Sequence, residues 1–196
     1  MRRLVDDLLD LARTGHQLDD LEPVEFADLA DTAWGRVWTP EGELVVETDL
    51  TVLADPDRLQ QLLENIFRNS VEHASVDDSS QRGDRPLAVD HSSAADRQTV
   101  TGADESKEDG DATANGVRVR IGSLADGFFI EDDGTGIPPE LRERIFERGY
   151  STSEDGTGLG LSIVSHIAGA HGWSICATES TLGGARFEIT GVDTVE

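Results

Sequence analysis

The chain has 196 residues, 40 acidic and 16 basic, for a formal net charge of −24, and its 37% hydrophobic residues with three Trp and six Phe exclude a wholly disordered chain and suit one domain with a packed core. Charge of this sign repels phosphate backbones and anionic lipid, so neither nucleic acid nor membrane contact is expected, and apolar runs of only a few residues exclude a membrane span. Cys176 alone makes neither an internal disulfide nor a Cys-rich zinc site, no apolar segment with a cleavage pattern follows Met1, and the expected location is cytoplasmic.

In chain order, residues 2–14 read as a short amphipathic helix, with Leu4, Leu8 and Leu11 in one row and Val5, Leu9 and Ala12 in the next. Alone it is marginal, so it is expected to continue from, or pack on, something else. A second helix is predicted over about 25–38, where Phe26, Leu29, Ala30, Ala33, Trp34 and Val37 keep helical spacing. A strand follows at Glu43–Thr48. The third helix is marked by Asp55 as N-cap and Pro56 in its first turn, with Leu59, Leu62, Leu63, Ile66, Phe67 and Val71 on the core face to about Ala74.

Residues 76–115 differ in kind: these 40 positions hold ten acids, no aromatic and only four residues from Val, Leu, Ile and Phe. Such a segment buries too little to offset its ordering entropy and is expected to be a disordered insertion. Alternation resumes at Val117, Val119 and Ile121 and again over Phe128–Glu131, two strands about a turn near Asp126-Gly127. A helix over 138–147, a glycine-rich loop, a helix over about 158–171, and strands at 173–178 and 185–190 turned through Gly183-Gly184 complete the chain. Helices mixed with short antiparallel strands predict an α+β, two-layer sandwich.

Three clusters carry potential chemistry. Asn65 and Asn69 stand i, i+4 on the third helix with His73 one step further, and amide oxygens suit a hard cation such as Mg²⁺; two surface asparagines are the alternative. Asp132-Asp133-Gly134-Thr135-Gly136-Ile137-Pro138 directly follows a strand, where glycines admit a flat ligand and a carboxylate accepts from an exocyclic amine; a plain turn is the alternative. Gly156-Thr157-Gly158-Leu159-Gly160-Leu161 opens a helix, whose N-terminal amides and dipole suit phosphate. It lacks the Gly-Lys-Ser/Thr of a P-loop and the preceding strand of a Rossmann turn, and a generic glycine hinge is the alternative.

The order of these clusters, with Ile145-Phe146-Glu147 between the last two, resembles the N, G1, F and G2 boxes of the ATP-binding domain of sensor histidine kinases. That is the Bergerat fold shared with gyrase, the Hsp90 chaperones and the mismatch-repair ATPases. The likeness covers about residues 40–190 apart from the insertion, with the domain expected at 21–194. The resemblance implies ATP and Mg²⁺ as ligands. Asn69 would bind the metal, Asn65 would lie beside the triphosphate, and Asp132 would take the adenine amino group. Gly134 and Gly136, with Ile137, would wall the base. Residues Gly156, Thr157, Gly158, Leu159, Gly160 and Leu161 would hold phosphates, and Phe146 through Asp155 would form a mobile lid. Glu64, before the first Asn, would orient a nucleophile, a solvated helix residue being the alternative.

Residues 1–15 look like the end of the second dimerisation helix of that family, which implies dimerisation only through that helical region. Abundant Asp and Arg beside a single Lys107, and an acid-rich insertion, are closest to haloarchaeal sensor kinases; an ordinary acidic protein from a biased genome is the other reading. The implied partners are a phosphoacceptor histidine helix and a response regulator.

Two departures bear on mechanism. None of His16, His73, His91, His166 and His171 has the His-Glu/Asp-Leu-Arg setting of the family's phosphoacceptor, so the acceptor is expected outside this chain. Glu72 stands where the family often has Lys, and 150–161 carries no base, so phosphate neutralisation falls to Mg²⁺, backbone amides, Arg148 or His73. Of the remaining histidines, His166 and His171 are expected to be structural. A non-catalytic nucleotide-binding regulator, or an anti-sigma-like serine kinase, are the alternative functions.

Overall fold

A computed structural model describes residues 21–37, 41–74, 116–151 and 157–195. The expected helix over 2–14, the acidic stretch 76–115 and Gly156 lie outside the described residues. The elements are β1 (Glu22–Glu25), α1 (Phe26–Arg36), β2 (Glu43–Glu47), β3 (Thr51–Ala54), α2 (Pro56–Ala74), β4 (Arg118–Leu124), β5 (Gly127–Asp132), α3 (Gly160–Ala170), β6 (Ser174–Glu179), β7 (Ala185–Thr190) and β8 (Thr194–Val195).

The larger sheet has the order β2-β4-β5-β7-β6. Its hairpins β4–β5 and β6–β7 are antiparallel, as the alternation predicts, whereas edge strand β2 pairs parallel with β4, Leu44 opposite Val119. A smaller sheet, β1-β3-β8, ties both ends of the described chain to β3. Its strands are not predicted: two to four residues are too few to show a period, and Val52 and Ala54 are the buried positions of β3.

One face of the larger sheet packs against the helices. Phe128, Ile130, Phe187 and Ile189 share a continuous core with Phe26, Leu62, Phe67, Ile163 and Ile167. Phe26 and Phe128 meet at 4.3 Å between ring centroids, and Trp34 sets its edge on Phe67 at 5.3 Å. Each such side chain, fully withdrawn from water, contributes about 1.5–3 kcal/mol. The α+β, helix-on-sheet architecture expected from the sequence is the one observed.

Helix α2 starts as its sequence dictates. The Asp55 carboxylate accepts the backbone N–H of Arg58 at 3.1 Å, satisfying an otherwise unpaired first-turn donor, and Pro56 needs none. The Asp55 backbone N–H in turn donates to His171 Nε2 at 3.1 Å, while Nδ1 of that ring lies 2.9 Å from the Ile167 carbonyl. This assigns the proton to Nδ1. Stacked on Trp173 at 4.3 Å, His171 pins the start of α2 to the end of α3 and has the structural role expected of it. His166, by contrast, is exposed on α3.

The helix expected over 138–147 is instead two 3-10 turns, Pro139–Leu141 and Arg144–Phe146. The segment is led by two prolines and followed by Gly149 at φ +79°, and its three apolar residues do not make the longer helical row that holds α1 and α3 on the core. Tight i→i+3 bonds, such as Leu141 N–H to Pro138 O at 2.9 Å, let the segment turn Leu141, Ile145 and Phe146 onto the core, Phe146 facing Phe187.

Candidate functional site

The site is built at the end of β5, where the pleat turns Asp132 toward the helices. Its side chain is almost wholly buried, and no arginine or lysine pairs with it among the described residues. Oδ1 accepts two backbone N–H groups, from Gly134 at 3.0 Å and Ala185 at 2.9 Å. Oδ2 accepts the Ser70 hydroxyl at 2.8 Å. The Asp132 carbonyl takes the N–H of Gly184 at 3.2 Å. Strand end, β6–β7 turn and α2 are therefore joined through one carboxyl group.

Two glycines make that approach possible. A Cβ on Gly184 would stand 2.2 Å from Asp132 Oδ1 and 2.5 Å from Gly134 N, which no side chain survives. A Cβ on Gly134 would reach Asp132 Oδ1 at 3.1 Å and the backbone of His73 and Ala74 at 3.8 Å, so the loop after β5 lies against the last turn of α2. Gly136, at φ +73°, passes the Gly184 carbonyl, and Ile137 packs at the edge of the core.

On α2, Asn65 is buried, and its Nδ2 donates to the Gln61 carbonyl at 2.8 Å. Its Oδ1 faces Gly160, where an added Cβ would touch it at 3.4 Å. The start of α3 thus rests on Asn65, and the helix's first-turn N–H groups open beside it. Asn69 is half-buried one turn further along, and its side chain has no hydrogen-bond partner among the described residues. His73 is half-buried on the last turn of α2. Glu64 accepts from Gln60 Nε2 at 2.6 Å and pairs with Arg36 at 3.2 Å, so it is already engaged.

The glycine-rich loop closes on itself before α3. Gly149 N–H donates to the Gly158 carbonyl at 3.0 Å, and a Cβ on Gly158, at φ +66°, would fall 2.5 Å from the Gly149 carbonyl carbon. This backbone contact joins Gly149 directly to Gly158. Thr157, Leu159 and Leu161 are half-buried around it, and Ser162 Oγ donates to the Leu159 carbonyl at 2.8 Å. Arg148 is exposed nearby.

Behind the β6–β7 turn, on the opposite face of the sheet, Glu131 has a side chain with no solvent exposure. It pairs with Arg120, lies 3.4 Å from Arg186, and accepts the Thr181 N–H at 3.0 Å and the Ser180 hydroxyl at 3.3 Å. Burial pushes this carboxyl up, but the hydrogen bonds from Arg120 and Thr181 and the Arg120 charge outweigh it and hold it below the usual glutamate range. The Arg120 guanidinium is raised in return by its hydrogen bond to Glu131. Arg186 also covers the Phe129 ring at 3.7 Å.

The sequence singles out Asn65, Asn69, His73, Asp132 and the glycines, but not Ser70, Gly184 or Glu131. The first hid beside Asn69 as an ordinary helix serine. The second read only as part of a turn, and the third as a strand residue. Among the described residues, no group of three or more His, Cys, Asp or Glu side chains is placed to hold a metal ion, and no helix is long and apolar enough to cross a membrane.

Over 197 residues the chain is 31% identical to the sensor histidine kinase ZraS of Klebsiella oxytoca, an alignment covering 95% of this chain and 34% of that protein. It is 49% identical over 65 residues to the sensor protein CitS of Halalkalibacterium halodurans, covering 32% of this chain and 12% of that one. The chain thus spans about a third of the length of ZraS. Among solved structures, full-length ShkA in complex with AMPPNP superposes with a TM-score of 0.63 at 26% identity, covering 98% of this chain and 36% of that chain. The ATP binding domain of PrrB from Mycobacterium tuberculosis shares the fold, with a TM-score of 0.57 at 23% identity, covering 91% of this chain and all of that one. The model of the histidine kinase-, DNA gyrase B-, and HSP90-like ATPases matches residues 54–193, a span that holds Asn65, Asp132 and Gly160, and the chain belongs to that family.

Proposed function

We propose that the chain is the ATP-binding catalytic domain of a two-component sensor histidine kinase, presenting the γ-phosphate of ATP to a histidine outside this chain. The observation that carries this reading is Asp132: a buried carboxyl held by neutral donors against the C-terminal part of α2, with acceptor capacity left on Oδ2. A carboxylate so held accepts the exocyclic amino group of adenine, and Gly134, Gly136 and Ile137 wall the base. The backbone from Gly156 to Leu161 and the α3 dipole receive the phosphates.

The residues present also fit Mg²⁺. Among the described residues the Asn69 amide is uncommitted and no group of three or more acidic or His and Cys side chains forms a cage; a hard cation takes amide oxygen, and the ion would rely on phosphate oxygens for its other ligands. When bound, it neutralises charge on the triphosphate. Asn65 would lie beside the phosphates, His73 or Arg148 would help to neutralise them, and Glu64 would orient the attacking group only on release from Gln60 and Arg36. Phosphoryl transfer is then mostly positioning and charge stabilisation.

The finer assignments extend the same reading. Residues 1–15 are the end of a dimerisation hairpin, 76–115 is an acidic insertion, a response regulator is the downstream partner, and the charge of −24 with a single Lys marks a haloarchaeal type. Glu72, where the family often has Lys, favours a non-catalytic nucleotide-binding regulator as the second reading.

The test is calorimetric titration of the chain with Mg-ATP in molar salt, then incubation with γ-labelled ATP with and without a dimerising helix that carries the acceptor histidine. Binding without self-labelling, and acid-labile label on the added helix, is the expected outcome. Binding without transfer establishes the regulator. Acid-labile label on the chain alone, mapped to His16, His73, His91, His166 or His171, overturns the assignment of an external acceptor.

A further inference from the structure

We propose that Ser70 is a positioning residue that makes the site select 6-amino over 6-oxo purines; this rests on the reading of Asp132 as the base-recognition group. The Ser70 hydroxyl is buried, at 2% exposure, and carries one proton with two acceptors in reach, Asp132 Oδ2 at 2.8 Å and the Ile66 carbonyl at 3.3 Å. Either way the proton is committed to the protein. The shorter contact, to a carboxylate, is the stronger.

Two consequences follow. The Asp132 carboxyl has about four lone-pair directions. Two on Oδ1 are taken by Gly134 and Ala185, and one on Oδ2 by Ser70. The torsion of the carboxyl group is fixed, and one acceptor direction on Oδ2 remains. In addition, Ser70 Oγ itself offers only lone pairs to an incoming group. The Asp132–Ser70 edge is therefore acceptor-only. An exocyclic amine at C6 satisfies it, whereas a C6 carbonyl meets acceptors alone and leaves buried lone pairs opposed.

Ser70→Ala removes this commitment. Oδ2 gains a second unfilled direction, and the space left by the hydroxyl admits a water molecule that can turn a proton toward a 6-oxo group. Ser70→Thr keeps the hydroxyl, and Ser70→Cys substitutes a weak donor of similar size.

The experiment titrates the full chain in molar salt and Mg²⁺ with ADP and GDP and compares the ratio of their dissociation constants, alongside thermal denaturation. The expected result is a ratio reduced about tenfold in Ser70→Ala, restored in Ser70→Thr and intermediate in Ser70→Cys. A purely structural role lowers the affinity for both nucleotides together and leaves the ratio in place, which overturns the proposal. If Ser70→Ala does not fold, the Cys and Thr ratios decide on the same terms. Failure of the unaltered chain to bind ADP overturns the adenine site and this inference with it. ADP binding with an unchanged ratio across the variants overturns this inference alone.

Discussion

Glu131 and Asp132 are consecutive carboxyl groups at the end of β5, and the strand pleat sends them to opposite faces of one sheet. Both are buried, and both hold the β6–β7 turn, Glu131 through Thr181 and Ser180, Asp132 through Gly184 and Ala185. Their partners differ. Glu131 is saturated by two arginines, a backbone N–H and hydroxyls. Asp132 is held by two N–H groups and one hydroxyl, neutral donors that orient it without neutralising it. A carboxylate locked by cations has nothing left to offer a ligand. One aimed by neutral dipoles keeps both its direction and its acceptor strength, at the cost of desolvation that the ligand's own donor relieves.

The comparison breaks most severely at the turn that both residues share. Gly184→Ala places a Cβ 2.5 Å from the Asp132 carbonyl oxygen as well as against Oδ1, and backbone atoms cannot swing aside. The expected cost is about 2–4 kcal/mol of stability, from overpacking and lost hydrogen bonds, with nucleotide binding abolished. Chemical denaturation and calorimetry measure the two effects. A variant of wild-type stability and affinity would show that the turn does not seat Asp132.

Asp132→Asn separates orientation from acceptor strength. The asparagine oxygen takes the place of Oδ1 and keeps the Gly134 and Ala185 bonds, and its NH₂ faces Ser70 Oγ, which accepts. The fold is retained, but the edge toward the base now presents a donor. ATP affinity should fall by about 1–3 kcal/mol, with GTP losing less than ATP. Unchanged ATP affinity would remove Asp132 from the site.

How much of this was legible in the sequence follows from the range of each interaction. Helix α2 is locally encoded: Asp55, Pro56 and a 3.6-residue apolar row are enough, and Asn65 and Asn69 ride on it. Asp132 and Gly134 lie two residues apart, and their contact is a local turn. Ser70 meets Asp132 across 62 residues and Ala185 meets it across 53, so these contacts exist only once strand order and register are set. The parallel pairing of β2 with β4 joins segments on either side of residues 75–115, and no local period announces it. The same holds for the 3-10 turns, whose three apolar residues fit a helical row but are placed by the core they reach.

The smallest effect comes from the cation-bound partner. Glu131→Gln keeps the shape, and its amide oxygen still accepts from Thr181, but it withdraws the charge facing Arg120 and Arg186. Arg120 reaches solvent with 28% of its side chain exposed, so water compensates part of the loss, and a cost of about 1–2 kcal/mol is expected, with ATP affinity nearly unchanged. The pH dependence has a definite sign. The folded-state value of Glu131 lies below its ordinary value of 4.5, so folding favours the ionised form. That contribution is complete above about pH 4.5 and is lost as pH falls through the lower folded-state value. Acid unfolding of the wild type should therefore be steeper below this point than that of Glu131→Gln, with the two stability curves converging as the carboxyl protonates. Molar salt relieves the repulsion among 24 net negative charges yet leaves the buried pair largely unscreened, so the difference between the two proteins at neutral pH should persist in high salt. Parallel acid curves for the two proteins would mean that Glu131 carries no charge-dependent stability, and the contrast with Asp132 would reduce to shape alone.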